Sequence, residues 1–318
     1  MSRKYYGEYD IYELEEERLK KSRKKRKKHK NKMDPVSRVI LFFSVIVFLG
    51  SGGYLVYKYF GEPYLEQREL SSYKSDYKSE DPSTADDGVW NNDDEKKQEE
   101  ERLEDGTLAS FKTIRELNGD VVGWINVPNT LVDYPVVQSK DNSYYLSHNI
   151  NKNRSQSGCP FLDYRNDVKP GSKTRSFIIY GHHRRNGTMF AQLKKYNDPE
   201  FYKENPVLRF DTIYDRSEWI IFSNFRATTL WSTGTPFNYI QTEFKSDAEF
   251  LKFVDEIKKR SLVTMPVDVQ ADDKILLLST CSYEKGGWRM VIAARRVRDG
   301  ESKIDVSSAV KAANPLMP

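Results

Sequence analysis

The chain holds two cysteines and four histidines, so thiol chemistry has few candidates. Cys281 ends the apolar run ILLLST and is followed by SYEKGG. That pattern reads as a strand leaving a core, with the cysteine where the strand emerges beside a loop. A lone cysteine is often a satisfied core residue. Polar Ser279 and Thr280 before it, and the loop after it, favour a reactive position. Cys159, between Gly158 and Pro160, suits a structural place at a strand entry. A Cys159–Cys281 disulfide is an alternative that would abolish thiol chemistry.

A thiol nucleophile needs a proton partner that titrates near neutrality, and histidine is the natural one. Beyond residue 106 the candidates are His148, His182 and His183. His182 follows the strand-like FIIYG, with Gly181 giving the backbone room to turn. His183 would point elsewhere if the chain stays extended, and a solvated loop is the bland alternative for both. Acyl transfer also needs a donor for the oxyanion of a tetrahedral intermediate. Arg289 begins the strand-like RMVIAARRV, eight residues after Cys281. A hairpin through Gly286 and Gly287 would return it to the sulfur. Arg295 and Arg296 read as an ordinary solvent-facing strand end.

These residues need a scaffold, and the pattern around them is mostly β. Short runs between turn signals predict strands at 121–126, 134–138, 159–163, 176–181, 207–211, 218–227, 274–281 and 288–297. Eight short strands predict a barrel or sandwich. Crossover helices are mostly missing, which disfavours parallel α/β. One helix is clear. Ser246 with Glu249 forms a capping box, and Phe250, Phe253, Val254 and Ile257 form an apolar stripe. A second short helix covers 189–196. Residues 94–104 are read as helical, continuing into the spaced Leu108, Phe111, Ile114 and Leu117.

The first third of the chain differs in kind. Residues 20–32 carry ten Lys or Arg in thirteen positions. A nucleic-acid arm is one reading. The nineteen uncharged residues from Val39 to Tyr57 favour another, an uncleaved single-span anchor. No A-x-A-like cleavage site follows them. Residues 76–105 hold thirteen acids and four bases, so the positive-inside rule puts the N-terminus in the cytoplasm. The expected organisation is a basic cytoplasmic tail at 1–38, an anchor at 39–58 and a solvated extracellular spacer at 59–104. A catalytic domain at 105–300 and a tail at 301–318 complete it. The 318 residues average 31% charged, but that charge sits mostly before residue 106. The remainder, about 190 residues, is ample for one core. Two cysteines exclude a disulfide-dense scaffold and a four-cysteine zinc site.

The residues also spell a family. LLLSTCSYEKGGWRMVIAARRV resembles the cysteine strand, loop and arginine strand of sortases. IIYGHHRRNGTMFAQLKKY is similar to the class B stretch around the catalytic histidine, and GWINVPNTLVDYPVVQSKDNSYYL and FLDYRND match class B patterns. The resemblance runs from about residue 105 to 298, behind one N-terminal anchor. It implies an eight-stranded, mainly β sortase barrel with an N-terminal helical extension and a long helix between strands six and seven. It implies Cys281, His182 and Arg289 as the catalytic trio. It implies Asn142, Leu146, Thr235, Tyr239, Ile240 and Ser279 as residues lining a peptide groove, with no metal and no cofactor. The implied reaction is cleavage of an NPxTG-like sorting signal after Thr through a thioacyl-enzyme, then transfer to a peptidoglycan cross-bridge amine. The implied partners are surface proteins bearing that signal, the peptidoglycan precursor and the membrane, not nucleic acid. A pilin-polymerising relative and an inactive tethered peptide-binding module are the alternatives. Papain-like proteases place Cys before His, the reverse of the order here. Cys159 with Pro160 departs from the family, where a small or β-branched residue is usual.

Overall fold

The computed structural model describes residues 15–22, 34–79, 101–228, 231, 234–281 and 287–301, with side-chain detail for most of them. They fall into two compact units, divided between Arg68 and Glu69. In the first, α1 (Pro35–Val56) is capped by Asp34, whose carboxylate accepts from the Ser37 amide at 2.6 Å. Pro35 sits at its first turn, where a missing N–H costs nothing. A π-helical turn at Tyr57–Gly61 extends it. From Pro35 to Gly61 the helix is 27 residues long, apolar and wholly unburied, long enough to cross a bilayer.

The second unit is a closed barrel of eight strands: β1 (Val121–Asn126), β2 (Asp133–Val137), β3 (Phe161–Leu162), β4 (Ser176–Tyr180), β5 (Val207–Thr212), β6 (Glu218–Thr228), β7 (Ile275–Cys281) and β8 (Trp288–Arg296). Around the barrel they run β1-β2-β3-β4-β7-β8-β6-β5, and β5 pairs with β1 to close it. Each predicted strand is present, with ends shifted by a residue or two. Closure leaves no long edge to template aggregation. Two neighbours are parallel, β2 with β3 and β4 with β7. In β7, Ile275 to Leu278 are all fully buried, as are Val291 to Ala294 of β8. That explains why β7 reads as a continuous apolar run rather than an alternating one.

The helices follow the barrel in chain order. Helix α2 (Glu62–Ser79) precedes it, α3 (Lys112–Leu117) follows a 3-10 turn at Ala109–Phe111, and α4 (Pro199–Glu204) precedes β5. A 3-10 segment covers Phe190–Asn197, where the sequence predicts a short helix. Helix α5 (Asp247–Lys259) joins β6 to β7 and buries Phe250, Phe253, Val254 and Ile257 on the barrel. Ser246 accepts from the Glu249 amide at 3.2 Å, and Glu249 accepts from the Lys245 amide at 2.7 Å. The capping box is therefore reciprocal, but shifted back one residue on the return bond.

Two expectations need correction. Residues 101–104 are not helical: Arg102 bridges Leu108, and Gly106 turns the chain between them. Residues 94–100 of that expectation lie outside the described residues. The stretch from 62 to 79, read as part of a solvated spacer, is helix α2. Leu70 and Tyr73 pack half-buried on the barrel unit, and Tyr77 is 4% exposed. The Tyr77 ring stacks on Trp124, with centroids 4.6 Å apart and planes 4° apart. Its hydroxyl donates to Asp211 Oδ2 at 2.6 Å, a carboxylate that also takes Arg209 Nε at 2.5 Å and Arg216 Nη1 at 3.0 Å. Lys74 pairs with Asp133, whose other oxygen accepts from Trp124 Nε1 at 2.6 Å. Three side chains at helical spacing suffice to dock an otherwise polar segment.

Tyr77→Ala should therefore cost about 3–5 kcal/mol, the range for deleting a buried aromatic ring. Tyr77→Phe should cost only about 1 kcal/mol, because Asp211 keeps both arginines. Urea unfolding of the two variants checks the order.

Candidate active site

The site is built by one parallel ladder. Each β4 residue faces the β7 residue 99 positions later, from Ser176 opposite Ile275 to Tyr180 opposite Ser279. The last bond of the ladder runs from the Gly181 amide to the Ser279 carbonyl at 3.1 Å. His182 and Cys281 are also 99 positions apart, so they follow the end of the ladder in step. On the other side, β7 and β8 are antiparallel, and Cys281 lies opposite Arg289. Cys281 and Arg289 thus face each other across two neighbouring strands, and His182 follows β4 two residues beyond its last paired position.

Gly181 matters for space rather than for a left-handed turn. A Cβ there would sit 2.6 Å from the Phe190 ring. The Phe190 amide donates to the His182 carbonyl at 2.9 Å, fixing the backbone on which the imidazole is carried. The ring itself bonds through Nε2 to the Leu146 carbonyl at 2.7 Å. His183 bridges Met189, and His148 stacks on Tyr144 and bonds its carbonyl through Nδ1 at 2.8 Å. Arg289 is exposed at the start of β8.

Cys159 is a free thiol, 7% exposed, and is ruled out as a ready nucleophile by its surroundings. Burial pushes its thiol far above neutrality, so it stays protonated and inert. Its Sγ lies 3.8 Å from the Pro135 carbonyl, and its amide donates to the Tyr145 carbonyl at 3.0 Å.

The residues expected to line a groove divide into two groups. Tyr239 and Ser279 meet, hydroxyl to hydroxyl at 2.8 Å, and both are buried. Ile240 packs half-buried beside them on the barrel core, whereas Thr235 is exposed. Asn142 lies elsewhere, with Nδ2 donating to Asp163 Oδ2 at 2.9 Å and Oδ1 accepting from the Tyr164 amide at 3.0 Å. Leu146 is exposed, and its carbonyl is the one that holds His182. Among the described residues, no three His, Cys, Asp or Glu side chains gather as metal ligands would.

Asp163 escaped the sequence reading, although FLDYRND contains it. It is fully buried one residue beyond β3 and takes Tyr180 Oη at 2.9 Å and both Arg165 Nε and Nη2, at 2.8 and 2.7 Å. Burial alone would raise its carboxyl. The bonds from Arg165, Tyr180 and Asn142 outweigh that and hold it below the usual carboxylate range. Burial, then the Asp163 charge, pushes the Tyr180 phenol up, so it remains a neutral donor. A motif with no evident nucleophile gave no reason to single out its acid.

Arg295 also needs correction. It is 1% exposed, not a solvent-facing strand end. Its guanidinium makes a two-pronged pair with Glu301 at 2.6 and 2.7 Å. Those bonds hold the Glu301 carboxyl below its usual range. Arg296 keeps a half-exposed pair with Asp215.

A closed eight-stranded barrel in which Cys281 faces Arg289, with His182 just past the neighbouring strand, has the residue types that cysteine acyl transfer needs. The Sortase domain family model matches residues 125–297. Sortase B of Listeria monocytogenes is 39% identical over 191 residues, 59% of this chain and 74% of the relative. A Bacillus anthracis sortase B crystal structure, in complex with AAEK1, aligns with a TM-score of 0.61 and 32% identity, covering 75% of this chain and 99% of that one. A Staphylococcus aureus sortase B–substrate complex aligns at 0.62 and 29%, covering 74% and 98%. The chain belongs to the sortase family, in its class B branch, and is a cysteine transpeptidase.

Two outcomes follow for single variants. Cys159→Ala should leave turnover near wild type, and Cys281→Ala should abolish it, as read by peptide cleavage and thioester trapping. Arg295→Ala should lose about 3 kcal/mol of stability, the low end for breaking a buried pair, since Glu301 keeps some water. Arg296→Ala should lose under about 1 kcal/mol. Thermal melting separates the last two.

Proposed function

We propose that this enzyme cleaves an NPxTG-like sorting signal between Thr and Gly and joins the Thr carbonyl to a peptidoglycan cross-bridge amine. The observation that supports the reading is Cys281 opposite Arg289 in the β7–β8 ladder, with His182 two residues past the end of the β4 strand that pairs with β7. The Cys281 thiolate attacks the Thr carbonyl carbon. Arg289 donates to the oxyanion, which a guanidinium suits because it stays charged and presents a planar fork of donors. As the C–N bond breaks, His182 gives its proton to the leaving Gly amine, and a thioacyl-enzyme remains. The acceptor amine then attacks the thioester while His182 takes its proton, and the thiolate leaves. Tyr239, Ile240 and Ser279 form one wall of the signal-binding groove, with Asn142, Leu146 and Thr235 as its other contributors.

The same reading gives the chain its address. The basic tail at 1–38 is cytoplasmic, the span at 39–58 is an anchor, and the transpeptidase acts outside the membrane on surface proteins. Support comes from the apolar, unburied helix at Pro35–Gly61 and the cations that precede it.

Quenched sorting-signal peptides test the function. The wild type should cut NPxTG-like peptides after Thr and, given a short oligoglycine amine, should yield the ligated product. Arg289→Ala should lose on the order of 100- to 1000-fold in kcat. Arg289→Lys should recover little of it, and neither variant should melt differently from the wild type. Wild-type kcat in Arg289→Ala, or intact peptides with the wild type, refutes the assignment.

A further inference from the structure

The imidazole of His182 rests on a seat that the proposed chemistry leaves unused. Its Nε2 lies 2.7 Å from the Leu146 carbonyl. A carbonyl only accepts, so this contact requires a proton on Nε2. The neighbouring ring atom, Cδ2, faces Gly158: a Cβ built there would lie 3.2 Å from it. Cδ2 and Nε2 are one edge of the ring, so the opposite edge carries Nδ1 away from the seat.

Gly158 has a φ of +61°, and its imagined Cβ would also meet the Tyr145 carbonyl oxygen at 2.4 Å and the Leu146 carbonyl oxygen at 3.1 Å. Nothing larger than hydrogen fits. The neighbouring bonds show why the chain must come so close. The Cys159 amide donates to that same Tyr145 carbonyl, and the Tyr145 phenol is anchored by Asp120 Oδ2 at 2.6 Å and Asn118 Nδ2 at 2.9 Å. The turn that offers the Leu146 carbonyl is therefore pinned at Tyr145 from two sides, and Gly158 lies against it.

We propose that Gly158 is a positioning residue. Together with the Leu146 carbonyl it fixes neutral His182 as the Nε2–H tautomer, so that Nδ1 is the atom that takes and returns the proton during acyl transfer. The inference rests on the role proposed above for His182. It also gives Gly158, just before the Cys159–Pro160 departure, a purpose: a close-fitting, buried shelf under the imidazole.

The test is a two-bond ¹H–¹⁵N spectrum of the full-length protein in detergent, labelled with ¹⁵N-histidine and titrated through neutrality. Substitutions of His29, His148 and His183 identify their signals, leaving His182. Neutral His182 should show a protonated Nε2 and a bare Nδ1. Gly158→Ala should erase that preference and lower kcat on the order of 100-fold, the cost of misplacing a reacting group by about 1 Å. Gly171→Ala is the control. Gly171 has a φ of +78° with open space around it, so it carries the same left-handed strain without touching the seat. It should keep wild-type His182 signals and kcat.

A wild-type His182 protonated at Nδ1 overturns the proposal, and that measurement stands even if Gly158→Ala does not fold. A folded Gly158→Ala with unchanged His182 signals also overturns it. If the wild type leaves every sorting peptide intact yet His182 is protonated at Nε2, the proposed function has failed and the seat has not.

Discussion

The parallel pairing of β4 with β7 is the constraint on which the site depends. Parallel strands cannot be joined by a tight turn, so these two segments come from distant parts of the chain and meet only if the barrel closes. A one-residue slip would move every side chain of β4 to the other face and take His182 out of step with Cys281. Ile178, Ile179 and Leu276 to Leu278 are fully buried, on both faces of the sheet. A slip would drive each into packing shaped for its neighbour, at roughly 1–3 kcal/mol for each misfitted side chain. The strand ends that carry the proposed trio are therefore placed by the burial of other residues.

Much of this was legible in the chain. The ILLLST run, the FIIYG run and the capping box at Ser246 announce their elements by local pattern, and those patterns agree with the fold. The order His before Cys, with Arg eight residues later, is likewise visible as spacing. What could not be read is long-range. Asp163 acquires its importance from Tyr180, brought to it by β3 pairing with β4, and from Asn142, 21 residues earlier, which join its near neighbour Arg165. Arg295 looks like any strand-end arginine until Glu301 is seen folded back on it.

Helix α2 shows the same limit from another side. Its composition is that of a solvated spacer, and composition was the wrong measure. Leu70, Tyr73 and Tyr77 make a narrow stripe, and a narrow stripe suffices where the partner surface supplies an aromatic face and a carboxylate. Tyr is suited to such a seam, since the ring is apolar and the hydroxyl can meet buried charge. The domain's structural edge therefore lies well before residue 105, inside a segment whose average polarity suggests no packing at all.

The two cysteines show how position, rather than residue type, decides chemistry. Cys159 is buried with its amide and thiol each against a carbonyl, and that environment disfavours the thiolate. Cys281 ends β7 after the buried run Leu276 to Thr280, opposite an exposed arginine in the ladder. A thiolate is costly in a dry interior and cheaper beside a cation at a strand end. A strand end also combines two needs that conflict elsewhere. The buried part of β7 supplies rigidity, and the strand ends at its last residue. Placing the histidine at the end of the adjacent parallel strand gives it the same combination. The proposed reactive groups thus stand at strand ends, beyond the apolar runs that hold β4 and β7 in register.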